Sequence, residues 1–125
     1  MDNELRKWFR FMLENAGYST PPGRAVCALE LARAYVRAEN DERIEFVWED
    51  DWDADLSWAD PKTVDSLNRG ELYCLLLLVR YDGEVENALG GIVVTPDDPY
   101  MRVCEAELAS ETYSNLDSCD AIVHN

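Results

Sequence analysis

Near the start of the chain, Leu5, Trp8, Phe9, Met12 and Leu13 recur at helical spacing. They predict an amphipathic helix, with Arg6, Lys7 and Arg10 mostly off its buried stripe. Gly17 offers a stop. The run Ser19 to Gly23 contains two prolines. It breaks the chain and restarts it, with Thr20 or Ser19 as a cap and Pro21 in the first turn. A second helix is expected to about Glu39, burying Ala25, Ala28, Leu29, Ala32, Tyr35 and Val36. Its small alanines suit close packing, and Glu39 to Glu42 reads as a turn.

The period then changes. Ile44, Phe46 and Trp48 alternate with Glu45, Val47 and Glu49, the rhythm of a half-buried strand that points Trp48 into the core. Asp60-Pro61 is a cap and first-turn pair for a short helix ending near Asn68 or Arg69, with Gly70 as terminator. Glu71 to Tyr81 is apolar on both faces, which predicts a central strand. Asp82-Gly83 is the strongest hairpin signal in the chain. Glu84 to Thr95 returns as its partner, with a bulge or close backbone approach at Gly90-Gly91. Asp98 and Pro99 open a last helix to about Tyr113 that buries Met101, Cys104 and Leu108. Residues 114–125 either dock through Leu116, Ile122 and Val123 or form a flexible tail.

The predicted order is α-α-β-short α-β-β-α within a single domain, 1–125. This is an α+β fold whose three-stranded, mainly antiparallel sheet carries helices packed chiefly on one face. Double-stranded-RNA-binding domains show a similar α-β-β-β-α order, but they need cationic contacts across the grooves. This chain lacks them where they would be required, so the likeness is one of fold alone.

Composition makes the charge the leading question. A chain of 125 residues with 47% hydrophobic and 30% charged residues is globular and long enough to bury a core without metal or disulfide. Its formal net charge is −15, whereas small domains are comfortably soluble at about 2 to 8. Residues 1–40 carry six basic and five acidic residues, and residues 41–125 carry five basic and twenty-one acidic ones. The larger part therefore repels nucleic acid and anionic lipid and favours a basic partner. The patch Arg6-Lys7-Arg10 is read as pairing with the acidic body or lying solvated.

Other chemistry finds little footing. Cys27, Cys74, Cys104 and Cys119 are widely spaced and His124 stands near the end, so neither a zinc site nor a Ser–His or Cys–His arrangement is indicated. Buried free thiols are the reading for the cysteines. No GxSxG, HExxH, Walker or GxGxxG motif is present, and no enzyme or cofactor is expected. The first turn is charged and no adequate apolar segment follows, so no secretory leader is expected. The longest apolar run, Leu72 to Val79, is too short to span a bilayer. The expectation is a cytoplasmic protein.

The charge concentrates in residues 45–60. Seven of these sixteen are acids, none is basic, and Trp48, Trp52 and Trp58 sit among them. Read as an EF-hand loop, neither a frame from Asp51 nor one from Glu49 supplies the required glycine at the sixth position. If residues 49–55 are extended, Glu49, Asp51, Asp53 and Asp55 share one face at roughly 6.6 Å intervals. Glu84 and Glu86, with Glu105, Glu107 and Glu111, would line the adjoining edge. Such a surface imitates a strand of phosphates. In size and charge, though not in motifs, the chain resembles the small acidic phage and mobile-element proteins that block restriction or CRISPR nucleases (anti-restriction and anti-CRISPR inhibitors). The resemblance implies a non-enzymatic inhibitor that occupies the cationic groove of a DNA- or RNA-binding enzyme or nuclease complex. Its binding residues would be Glu49, Asp50, Asp51, Trp52, Asp53, Asp55 and Asp60. For Trp52 and Trp58 the plainer expectation is partial burial in the core. The alternative function is an adaptor or homodimeric module using apolar surfaces, its acidic face only solubilising.

Overall fold

The computed structural model describes residues 2–16 and 21–123, without the side chains of 21–26 and 119–123. Gly17, Ser19, Thr20 and His124, and the side chains of Ala25, Cys119, Ile122 and Val123, lie outside the described residues. Helix α1 (Asn3–Asn15) starts at Asp2, whose carboxylate accepts from the Leu5 amide at 2.8 Å. It buries Trp8 and Met12. Helix α2 (Pro21–Glu39) lies between α1 and α4 (Tyr100–Val123). Burial from two sides explains why Leu31, Ala34 and Ala38 are buried together with Ala28, Ala32 and Tyr35, a wider stripe than one amphipathic face predicts.

Strands β1 (Ile44–Asp50), β2 (Tyr73–Tyr81) and β3 (Glu84–Val94) form one antiparallel sheet in that order. The fold is α+β, with β2 central as its two apolar faces predict. Asp82 and Gly83 both have positive φ, 53° and 84°, the two-residue hairpin turn whose twist matches the strands. The β2–β3 register shifts opposite Leu76, where Gly91 has φ +68°. The glycine pair therefore does make a bulge. A second shift, near Val79 and Arg80, has no glycine to announce it.

Ile44, Phe46 and Trp48 of β1, Leu77 and Val79 of β2, and Ile92 and Val94 of β3 face α4 with Cys104 and Leu108. Trp8, Met12, Ala28, Tyr35 and Val103 form the core between the helices. The helix α4 continues to Val123, ten residues past the expected end at Tyr113. No glycine or proline interrupts it, Leu116 packs against Ala34, Ala38 and Tyr113, and Arg37 holds Asp117 at 3.1 Å. Residues 114–123 are thus helical, and Leu116 packs inward as the docking alternative expected.

Candidate partner-binding site: the loop after β1

The site grows from the end of β1. Strand pairing stops at Asp50, opposite Leu75. The next amide, of Asp51, still donates to the Cys74 carbonyl at 3.0 Å. Residues 52–53 and 57–58 then form turns before α3 (Pro61–Asn68). Glu49, Asp51, Asp53 and Asp55 therefore do not lie along one extended face. The evenly spaced ladder of carboxylates is not formed, because the edge strand stops pairing opposite the start of β2 and the chain turns away.

Three of the acids are built into the backbone. Asp51 reaches across β2, and its Oδ2 accepts from the Gly91 amide at 2.8 Å. A Cβ on Gly90 would lie 2.7 Å from the same oxygen, so the glycine leaves room for this carboxylate. Asp55 accepts from the Ser57 amide at 3.0 Å. Asp60 caps α3 by accepting from the Thr63 amide at 2.8 Å. The Ser57 amide holds the Asp55 carboxyl below the usual aspartate range, and the Thr63 amide does the same for Asp60. All three acids keep a fixed place. Glu49, Asp50 and Asp53 have no hydrogen-bond or ion-pair partner among the described residues.

Four of the chain's arginines pair with acids elsewhere. The ion pairs among the described residues are Arg37–Asp117, Arg43–Asp41, Arg69–Glu71 and Arg102–Glu105. None touches residues 49–60.

The tryptophans divide. The Trp48 indole is in the core and donates to Glu105 Oε2 at 3.0 Å. Trp52 is 88% exposed and Trp58 63%, which corrects the expectation that they tuck inward. Both sit in the loop's turns, beyond the reach of the sheet. Leu56 is the loop residue that turns in, towards Leu67 of α3 and Leu72 before β2. These three leucines and Ala54 make the apolar wall of a cleft of about 400 Å³. Asp50, Asp51, Trp52, Tyr73 and Cys74 complete it. Burial, and then the Asp51 charge, push the Cys74 thiol above its ordinary range and keep it protonated.

Other acids expected beside the loop are elsewhere. Glu84 pairs with Tyr81 at the opposite end of β2 from the Asp50–Leu75 pair, about 20 Å away at the rise of a strand. Glu86 lies in the same hairpin. Glu105 is only 3% exposed. It accepts from the Tyr35 hydroxyl at 3.2 Å, from Trp48, and from Arg102. Burial, with the Glu105 charge beside it, pushes the Tyr35 hydroxyl up to about 12. Glu107 and Glu111 are exposed on α4.

Sequence reading missed the cleft, because its wall comes from three separate segments. It also missed the burial of Glu105, although a signal was present: Met101, Glu105, Leu108 and Thr112 share one helical face. No group of three or more His, Cys, Asp or Glu is placed to hold a metal ion among the described residues. No helix there is long and apolar enough to cross a membrane.

The chain matches no family model, no curated protein and no solved structure.

Proposed function

We propose that this protein is a non-enzymatic inhibitor that binds a basic nucleic-acid-binding protein through the loop Glu49–Asp60 and so blocks its groove. One observation carries the reading. Six carboxylates fall within these twelve residues, none is neutralised by an ion pair among the described residues, and the exposed Trp52 lies among them in the chain, with Asp50 and Asp51 at the same cleft. A fold that leaves a tryptophan in water forgoes roughly 2–3 kcal/mol of transfer free energy. A partner that covers it recovers that energy, and aromatic anchors of this kind dominate many interfaces. The loop substitutes for nucleic acid by charge density and not by phosphate spacing, since the regular ladder is absent. Association is then steered, fast and salt-sensitive.

The test uses the chain as bait for proteins of a bacterial lysate, beside the Glu49→Gln, Asp50→Asn, Asp53→Asn triple variant. The retained proteins should be nucleic-acid-binding, should lose duplex DNA in a gel shift when the wild-type chain is added, and should escape the variant. Affinity should fall steeply from about 50 to about 500 mM salt. Equal retention by the variant would refute the site.

A second reading has its own observation. Among the described residues no helix packs extensively on the other face of the sheet, where Val47, Leu76, Leu78 and Val93 are half-buried. An adaptor using this face would bind with little response to salt. Pairing of two copies is opposed by the charge of −15 on each. Sedimentation that shows a concentration-dependent dimer at low salt would favour this second reading.

A further inference from the structure

We propose that the cleft beside Trp52 is a slot for an arginine side chain of the partner; this rests on the reading of the loop as a docking surface for a basic protein. At about 400 Å³ the cleft is within the size range of specific pockets. Its lining combines the three kinds of surface that an arginine side chain can use. Leu56, Leu67 and Leu72 offer an apolar wall to the aliphatic stem. Trp52 and the 43%-exposed Tyr73 offer aromatic faces. Asp50 and Asp51 supply negative charge at the same cleft.

The two carboxylates are not equivalent. Asp51 is held in place by the Gly91 amide at its Oδ2, and a carboxylate has capacity for further donors. Asp50 has no partner among the described residues. A cation entering here meets one fixed and one free carboxylate, and no chain cation has to be displaced from either. Charge complementarity favours a cationic occupant over a purely apolar or anionic one. Between the two long cations, the planar guanidinium stacks on aromatic rings and pairs with carboxylates through two parallel hydrogen bonds. Ammonium acts as a strongly hydrated point charge.

The probe is n-butylguanidinium, titrated into the isotope-labelled full chain. The readouts are the Trp52 indole N–H and the methyl resonances of Leu56, Leu67 and Leu72. n-Butylurea, a neutral analogue of similar shape, and n-butylammonium are titrated in parallel. The guanidinium should shift these resonances and bind at least about fivefold more tightly than the urea. Trp52→Ala should weaken it by about fivefold, the scale of one cation–π contact. Trp52 is exposed, so this variant leaves the core intact, and its spectrum verifies that. Equal binding of the urea, or no loss in Trp52→Ala, overturns the slot. Binding of the ammonium equal to the guanidinium overturns the choice of arginine.

A short alternating arginine–glycine peptide separates this proposal from the one beneath it. Weakening by Trp52→Ala and by Leu67→Ala supports both. Loss in Glu49→Gln/Asp53→Asn with no effect of Trp52→Ala sinks the slot and keeps the acidic docking loop. Failure of the peptide to bind the wild-type chain, with selective butylguanidinium binding retained, keeps the slot and sinks the docking loop.

Discussion

The protein handles its carboxylates in two opposite ways at two places. Around α2, α4 and the start of β1, acids meet guanidinium and hydroxyl groups. Asp41 accepts from the Tyr113 hydroxyl at 2.8 Å and from the Arg43 amide at 3.0 Å. Arg37 holds Asp117 while its guanidinium lies 3.7 Å from the centre of the Tyr113 ring. Glu105 is enclosed by Tyr35, Trp48 and Arg102. In the loop after β1, the acids are either held by backbone amides or not held at all. An amide fixes a carboxylate without cancelling its charge, whereas a guanidinium cancels it. The first region thus uses acids to tie helices and sheet together, and the second displays them.

Replacing an acid of each kind tests this contrast most sharply. Glu105→Ala should cost about 3 kcal/mol, since it orphans the Tyr35 hydroxyl and the Trp48 indole in the core. Urea unfolding measures it, and a cost below about 1 kcal/mol would mean that the network does not hold the sheet to α4.

Asp41→Asn should cost less, about 1–2 kcal/mol, and should alter the acid limb of stability. Burial opposes ionisation of Asp41. Hydrogen bonds from the Arg43 amide, the Tyr113 hydroxyl and the Arg43 side chain together outweigh it and hold the carboxyl below the usual range. A depressed aspartate contributes stability above its unfolded value, about 3.9, and loses it as pH falls through the folded value. Wild-type stability measured from pH 6 down to about 2 should therefore fall more steeply than that of the variant.

Gly90→Ala should cost about 1 kcal/mol by pushing Asp51 off the Gly91 amide. Its effect should not add to that of Asp51→Ala, because both remove one bond. Additive costs in a double-mutant cycle would break the link between the loop and β3.

The Glu49→Gln, Asp50→Asn, Asp53→Asn triple variant should change stability by no more than about 0.5 kcal/mol, and towards greater stability as repulsion eases. Added salt should stabilise the wild-type chain more than this variant. A large loss of stability would show that these acids serve the fold after all.

The sequence was most legible where one local signal decides one local structure. Asp82-Gly83 sets its hairpin by positive φ, and Gly90-Gly91 sets a bulge. Asp60-Pro61 starts α3, and the alternation of Ile44, Phe46 and Trp48 orients β1. It was less legible in the loop. Trp52 and Trp58 carry the same transfer free energy as Trp48, so hydrophobicity alone placed all three towards the core. Alternation governs only Trp48, because only Trp48 lies in the strand. The cleft was hidden for a related reason: Leu56, Leu67 and Leu72 belong to a loop, a helix end and a strand approach that share no period.

The order of elements, the central place of β2, the hairpin and the excess of negative charge after residue 40 were determined by the sequence itself, since each follows from short-range spacing or simple counting. Only the tertiary structure decided which acids are consumed and which are displayed. Glu105 and Asp53 are both carboxylates. One became a buried acceptor because Tyr35, Trp48 and Arg102 converge on it from three elements, and the other stayed in water because nothing folds over it. The neighbours that make this difference are distant in the chain, and no local pattern records them.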